Sequence, residues 1–405
     1  MESKYFIKTC ALIATEGSSL SDDFEISGGN PNITYYESVK SPSISVSIDF
    51  IDVDGVISRE GITGGEYLDL KIKVPDFDDF EITPDKHFMM LNSVKNVKTS
   101  SNKQIATLEF ISVEAIINET ARVSRRFTGG VSQIVKELMK DKKSIQTSKN
   151  IETDECFNKY SFVGNLKRPF DTIQWLCPKA ASTDKECGFL FYENLDGYFF
   201  KSIKGLLESD SSETYEKPEA PVDTDIKITE NNLDSSNDIG MNCRMGMYAN
   251  KTIYVDIENG ELETVDYKIS DLNLAKPPKL PAGLEDVPTR LMLRILDAGA
   301  LQKGSKKEEV EKRSELAVYQ NKSYARTNLL FSQSLSISTP FNPDLRVGQM
   351  IDVVLPVKEG SDQSQTTGGG ENDISGKYLL SELKHSIANG KSNSELKLIR
   401  DVFTA

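Results

Sequence analysis

The sequence has few of the residues from which enzymes and metal sites are usually built. It contains two histidines and one tryptophan among 405 residues. His87 and His385 are far apart in the chain, and neither has a cysteine or a second histidine nearby. A metal or acid–base site built on them is therefore not expected, and both are interpreted as surface or loop residues.

Cysteines are also scarce, odd in number and scattered, and no CxxC pair occurs. The five are Cys10, Cys156, Cys177, Cys187 and Cys243. This pattern does not form a disulfide framework or a zinc motif. It predicts reduced, partly buried thiols, as in a protein that assembles in a cytoplasm.

Long apolar runs and excess positive charge are missing as well. No stretch approaches the roughly 18 apolar residues that span a bilayer, so no stable membrane insertion is expected. Cys10–Ala14 is too short for a signal-peptide core, follows Lys8, and instead predicts a β-strand. The net charge of −14 argues against a nucleic-acid-binding surface made of lysine and arginine.

Candidate motifs fail when their spacing is checked. Gly390-Lys391-Ser392 resembles the end of a phosphate-binding loop, but His385 stands where the motif requires its first glycine. Asp52–Gly55 resembles part of a calcium loop, but Phe50 and Gly61 occupy its first and twelfth ligand positions. We therefore predict no catalytic, cofactor-binding or metal-binding residues, and a protein that builds or binds.

One β pattern occurs twice. The earlier copy runs from Gly64 to Ile111 and the later copy from Val347 to Arg400. Each has a glycine, a strand with an aspartate at the same offset (Asp69 and Asp352), a proline, a variable loop, and two strands around a short turn. We predict an internal repeat. The alternative is two unrelated antiparallel stretches that share only strand chemistry.

The first half of the chain changes from β to α/β. Residues 1–117 contain alternating strands at a spacing typical of a barrel or sandwich, with Val56–Ser58 read as a strand after a turn. Residues 118–206 form a small α/β unit. It has one helix with the apolar face Val131, Ile134, Val135, Leu138 and Met139, a second helix from Pro169, and an aromatic hairpin turning at Asn194–Gly197.

The second half combines β segments with polar stretches. Residues 207–225, rich in acidic residues, serine and proline, predict an unstructured linker. Lys251–Ile257 and Leu262–Ile269 predict two strands. A capping box at Ser305–Glu308 predicts the start of a surface helix, and Glu359–Ser375 is a low-complexity loop.

The order of elements resembles a known family, the trimeric baseplate hub of contractile-tailed bacteriophages. No catalytic fingerprint is involved. Three segments carry the resemblance: Ile44–Glu114 running into Ala121–Phe127, the helix and aromatic hairpin of Phe162–Ser202, and Arg313–Asn328 followed by Leu335–Ser338, Leu345–Gln349 and the final hairpin.

The resemblance implies a mainly β (α+β) fold of four domains. The first tube-like β-barrel domain would be residues 1–117, followed by a small α/β domain at 118–206. Residues 207–250 and 326–405 would form the second tube-like β-barrel domain. Residues 251–325 would be an inserted domain with a helix. The internal repeat would then be the two barrels.

The resemblance also implies a function. Three chains would form a pseudo-sixfold ring that joins the sixfold tail tube to the threefold, cell-puncturing central spike and lets DNA pass. The implied partners are two further copies of the chain, the spike, and the tail tube or tube-initiator proteins, with the tape measure protein and baseplate wedge as further candidates. No cofactor, enzymatic activity or specific nucleic-acid binding is expected. The location would be the tail baseplate of the virion, assembled in the host cytoplasm.

Two alternatives remain at this point. The chain could be the hub component of a type VI secretion system or a related contractile injection machine, since these share the fold. A hydrolase using an acidic pair is a weaker alternative, because no spacing selects two carboxylates. For the hub, the acidic composition further predicts a channel wall of net negative charge.

Overall fold

The computed structural model describes residues 5–27, 31–53, 55–75, 77–100, 103–218, 227–236, 238–257, 260–271, 280, 283–284, 286–295, 313–356, 374–388 and 390–402. Within these ranges the protein is mainly β, with large antiparallel sheets and shorter helices. The predicted fold class is confirmed.

The first β unit consists of eight strands and one short helix. Its strands alternate buried and exposed residues, because one face packs on an apolar core while the other remains polar. The elements are β1 (Phe6–Ile13), β2 (Phe24–Glu25), β3 (Asn32–Ser38), β4 (Ser45–Asp52), α1 (Val56–Glu60), β5 (Tyr67–Lys73), β6 (Phe80–Ile82), β7 (Met89–Ser100) and β8 (Lys103–Ser112). The strand order is β3-β4-β8-β7-β5-β1-β2, with β6 against β5.

Helix α1 corrects the prediction of a strand at Val56–Ser58. The carboxylate of Asp52 accepts hydrogen bonds from the backbone N–H groups of Val56 and Ile57, each 3.0 Å long. These are donors that the first turn of a helix leaves without an intrahelical partner. A buried carboxylate at the end of β4 thus stabilises a helical turn where the apolar residues alone suggested a strand.

The central α/β unit follows. Its elements are α2 (Val113–Thr120), β9 (Arg126–Gly130), α3 (Val131–Lys140), β10 (Ile151–Thr153), β11 (Lys159–Val163), α4 (Pro169–Leu176), β12 (Phe189–Asn194), β13 (Gly197–Ser202) and α5 (Ile203–Leu207). Helix α3 buries all five residues of the predicted apolar face. Helix α4 begins at Pro169 and ends at Leu176, because Pro178 lacks a backbone N–H and a short 3-10 turn follows.

The rest of the chain contains the second β unit, interrupted by a small sheet and a long helix. The elements are β14 (Ser211–Glu216), β15 (Glu230–Ser236), α6 (Ile239–Met245), β16 (Ala249–Asp256), β17 (Glu261–Lys268), β18 (Arg290–Ile295), α7 (Arg313–Leu330), β19 (Gln333–Pro340), β20 (Met350–Val354), β21 (Gly376–Ala388) and β22 (Lys391–Arg400). The predicted strands near 251–257 and 262–269 are β16 and β17, which pair antiparallel.

Two predictions in this half are wrong. Residues 211–216 are not linker: β14 pairs with β20 and buries Tyr215 completely. Helix α7 is not only a surface helix, since Tyr319, Asn321 and Leu329 are buried against neighbouring elements. The many charged and polar residues of this segment hide its buried face at the level of sequence. The capping box at Ser305–Glu308 and nearly all of the loop at Glu359–Ser375 lie outside the described residues.

The repeat predicted from the sequence is present in the structure. The second unit has the strand order β15-β19-β22-β21-β20-β14, which matches β3-β4-β8-β7-β5-β1 element by element. In the first unit, Gly65 N–H donates to the carbonyl of Leu91, and Leu91 N–H donates to the carbonyl of Glu66. In the second unit, Gly348 N–H donates to the carbonyl of Leu380, and Leu380 N–H donates to the carbonyl of Gln349. A bulge follows each leucine. The outermost pairs differ: β1 is antiparallel to β5, whereas β14 is parallel to β20.

The two repeat glycines generate a prediction with an internal control. Gly65 and Gly348 have φ angles of +106° and +89°, so an alanine at either position costs about 1–2 kcal/mol. At 348 the new methyl group would also collide with the Tyr192 hydroxyl and lie 2.8 Å from its Cζ, whereas nothing lies within 4 Å at 65. Gly348→Ala should therefore lower the free energy of unfolding by about 1–3 kcal/mol more than Gly65→Ala.

Urea denaturation of both variants measures this difference. Equal destabilisation would show that the second unit does not pack on the central unit through Tyr192.

Candidate functional site

The most distinctive feature of the structure is the joint between the two β units. Strand β3 pairs antiparallel with the second half of β21, from Ser38 opposite Glu382 to Ile33 opposite Ile387. The first half of β21 pairs with β20, inside its own unit. Strand β21 therefore belongs to both units, and the joint fuses them into one fourteen-stranded sheet.

Aromatic packing fills the buried face of the joint. Tyr35 of β3 stacks on His385 of β21 with ring centroids 5.8 Å apart, and Phe80 and Phe341 contact the imidazole edge to face. His385 is 1% exposed and its Nδ1 lies 2.9 Å from the Ser394 hydroxyl. Burial lowers the pKa of His385 to about 3, so the ring is neutral and serves as a packing residue.

The prediction of surface or loop histidines is wrong for His385, which is a buried residue of β21, whereas His87 lies in the turn between β6 and β7 but is also buried. His87 is 4% exposed, and its Nδ1 accepts a 3.0 Å hydrogen bond from the backbone N–H of Thr83. Burial lowers its pKa to about 4. Both imidazoles are inside the protein, which composition and spacing did not reveal.

Glu37 of β3 connects three parts of the chain. Its carboxylate accepts hydrogen bonds from the Tyr35 hydroxyl at 2.5 Å, Leu195 N–H at 2.8 Å and Val347 N–H at 3.0 Å. Leu195 is in the β12–β13 turn of the central unit, and Val347 precedes β20. Complete burial raises the pKa of Glu37 to about 7, although nearby Arg346 and the three donors act in the opposite direction.

A second buried carboxylate cluster fastens the central unit to the first β unit. Lys149 Nζ lies 2.9 Å from Glu114 and 2.7 Å from Glu193. Glu193 also accepts hydrogen bonds from Ser112 at 2.6 Å and from Ile44 N–H at 3.1 Å. Burial opposes the charge of Lys149, but the two carboxylates outweigh it and raise its pKa. These groups satisfy one another and hold strands in place.

The residues of the failed phosphate-loop and calcium-loop motifs have structural roles. Gly390 and Lys391 lie at the β21–β22 turn, and Asp52 caps α1. The five cysteines are buried or half-buried and none is bonded to another. Across the described residues there is no group of histidine, cysteine, aspartate and glutamate arranged to hold a metal ion. No described helix is both long and apolar enough to cross a bilayer.

A mainly polar face extends on both sides of the joint. It is the side of the sheet opposite the apolar cores, and it carries the Lys95–Glu109, Lys384–Glu395 and Lys397–Glu382 ion pairs. A shallow groove of about 490 Å³ lies on this face between β15 and β3. Its walls are serine, asparagine, glutamate and lysine side chains, together with Tyr36. Such a wall offers an extended polar surface and no enclosed apolar pocket.

Comparison with known proteins gives a likeness in fold and none in sequence. No protein-family model and no curated protein matches the chain. The tail protein from Neisseria meningitidis MC58 shares the fold with a TM-score of 0.53 at 10% identity, over 99% of this chain and 98% of that chain. The 43 kDa tail protein of prophage MuSo2 from Shewanella oneidensis gives 0.51 at 9%, over 97% and 98%. Prophage tail protein gp18 from Listeria monocytogenes EGD-e gives 0.50 at 9%, over 97% and 94%.

These likenesses cover almost the whole chain. The fold is that of solved phage and prophage tail proteins. Because the sequence identities are only 9–10%, the likeness concerns the fold alone.

Sequence reasoning missed the buried acidic residues at the joint, although a signal was present. In β3 the side chains of Ile33, Tyr35 and Glu37 share one face because strands have a period of two. In β12 the same period places Glu193 with Phe189 and Phe191. An acidic residue in phase with aromatic core residues indicates a buried carboxylate that needs several donors.

Glu37 generates a pH prediction. In the folded protein its carboxyl binds a proton up to about pH 7, whereas the ordinary value is 4.5. The native state therefore holds more protons between these values, and stability should fall by up to about 3 kcal/mol as pH rises across this range. Glu37→Gln should remove this dependence, and it should cost about 1–3 kcal/mol through mismatched donors.

Urea denaturation at pH 5, 6 and 8 tests both effects, with Glu16→Gln at an exposed position as the control. An unchanged pH profile in Glu37→Gln would mean that Glu37 is ionised throughout.

Proposed function

We propose that this protein is the structural hub of a contractile phage tail baseplate and acts as a homotrimer. The observation that carries the proposal is the internal repeat: one chain contains two β units with the same strand order, joined edge to edge. The likeness to solved tail proteins supports it. Three such chains supply six similar β units.

A duplicated β unit would allow a trimer to contact both a sixfold and a threefold structure. A tail tube with sixfold symmetry and a spike with threefold symmetry cannot present matching surfaces to each other. A ring of three chains, each with two similar but distinct units, presents approximate sixfold symmetry on one side and true threefold symmetry on the other. Such a ring requires heterologous contacts that close on themselves.

The proposal assigns each part of the chain a role. The two β units, residues 1–117 and residues 207–250 with 326–405, form the ring. The central unit at 118–206 and the inserted part at 251–325 lie outside it and are available to other baseplate proteins. The partners are the central spike and the tail tube or its initiator proteins, with the tape measure protein and the wedge as further candidates.

The polar face described above would line the channel through which DNA passes. Three of its lysines, Lys95, Lys384 and Lys397, are paired with glutamates, which weakens their attraction for phosphate. We propose no catalytic role, no cofactor and no specific nucleic-acid binding. The protein would act in the tail of the virion after assembly in the host cytoplasm.

The symmetry of the assembled particle tests the proposal. Mass photometry of the purified chain, alone and mixed with its spike, should show a species about three times the 45.1 kDa of one chain. Class averages from electron microscopy should show a ring with six lobes and an open centre. A chain that stays monomeric beside its spike, or a ring with another number of lobes, would contradict the hub assignment.

A further inference from the structure

The second half of β7 has the same place in its unit as the half of β21 that forms the joint. After its bulge, β21 is covered by β3 along Glu382–Ile387. After the corresponding bulge, β7 pairs with β8 on one side only. On its other side, β5 reaches no further than Met90, and no other described strand follows. Lys95 to Lys98 are exposed there, with Val97 46% exposed.

Strand β15 corresponds to β3. It pairs with β19 as β3 pairs with β4, placing Asn231 opposite Ile337 where Ile33 stands opposite Ile48. It is the terminal strand of the sheet, and its outer edge meets no strand in the part of the chain that the structure describes. Two strand edges are therefore left without a partner strand among the described residues. The second half of β7 resembles the joint half of β21 but has no strand like β3 beside it, and β15 resembles β3 but has no strand like β21 beside it.

We propose that β15 of one copy pairs antiparallel with the second half of β7 in a neighbouring copy, repeating the β3·β21 joint between chains. This inference rests on the proposed trimer and names the surface that would hold it together. Joints within and between chains would then alternate around the ring. Pairing also removes two strand edges that otherwise invite uncontrolled association.

The register of the proposed joint follows from the repeat. The pair Thr34–Ser386 becomes Asn232–Lys98, and the pair Tyr36–Lys384 becomes Ser235–Lys95.

Between these positions each edge contains one residue more than in the joint within the chain. Strand β15 has a bulge between Leu233 and Ser235, and β7 has one between Lys95 and Lys98. The two extra residues would lie opposite each other, so the pairing register would be the same on both sides of the bulges. The edges of β15 and β7 do not pair within the chain, yet each has one inserted residue at the same position. Pairing of these edges between chains would explain why the insertions match.

Charge on the two edges is complementary. Lys95 and Lys98 lie on β7, whereas Glu230 and Asp234 lie on β15, and all four are exposed. Asp234 bonds Ser336 and Lys95 bonds Glu109, which places both on the polar face of the sheet. In this register Glu230 is diagonal to Lys98, and Asp234 is one residue from the position opposite Lys95. The nearby opposite charges favour this pairing and disfavour the pairing of two like edges. Pairing would also cover Val97 and the half-buried Leu233.

Engineered cysteines test the register. Opposed residues of antiparallel strands have Cα atoms about 4.5–5.5 Å apart, within disulfide range. Asn232→Cys with Lys98→Cys in one chain should therefore form disulfides between chains under mild oxidation, seen as covalent dimers and trimers on a non-reducing gel. The matched control is Thr34→Cys with Ser386→Cys, which should form a disulfide within one chain.

Two further controls define the outcome. Each single cysteine variant should give no trimer, and Asn232→Cys with Lys95→Cys, displaced along the strand, should cross-link poorly. A trimer that forms without cross-linking at Asn232 and Lys98, while the control pair oxidises, would overturn this joint and leave the hub intact. A chain that is monomeric under all conditions would overturn both. Cross-linking to the spike instead would assign the edge to that partner.

A charge exchange tests the chemistry of the joint. Lys95→Glu with Lys98→Glu places like charges across it, so the dissociation constant of the trimer should rise by about tenfold or more. Adding Glu230→Lys and Asp234→Lys to the same chain should restore assembly. Lys142→Glu with Lys143→Glu, in the exposed end of the central unit, controls for net charge. Equal weakening in the control pair, or no rescue in the fourfold variant, would contradict the joint.

Discussion

The pairing of β3 with β21 joins the two β units into one sheet. These strands are separated by more than 300 residues in the sequence, yet they exchange a ladder of backbone bonds across a face filled by Tyr35 and His385. Closing so long a segment costs loop entropy, which the contacts at the joint offset. The backbone ladder, the aromatic packing and the hydrogen bonds to Glu37 together stabilise this joint.

Buried polar and charged groups make this arrangement specific. Glu37 takes donors from three parts of the chain, and Lys149 sits between two carboxylates that belong to different segments. Buried ion pairs contribute little net stability when compared with apolar packing, but a displaced partner leaves a charge without compensation. The β units and the central unit can therefore dock in few ways other than the one observed. A rigid relation between units is what a ring of repeated subunits requires.

Much of the architecture could be predicted because its signals are local. The apolar face of α3, the proline that starts α4 and the aromatic hairpin depend on neighbours within a few residues, and all three appear where expected. The repeat was visible because equivalent positions face equivalent constraints: Gly65 and Gly348 both need a positive φ before the first strand of the copy. Strand β14 and the buried side of α7 were missed because their composition is polar and their burial depends on distant partners.

The sequence by itself determined that this protein is mainly β, is internally duplicated and has no recognisable catalytic motif, since periodicity, turn residues and spacing act over short distances. Only the tertiary structure decided that the two copies share one sheet, that His87 and His385 are interior residues, and that Glu37 lies where three segments meet. Strand partners are chosen among many similar edges. That choice depends on the burial and charge of residues far apart in the chain, which no local pattern contains.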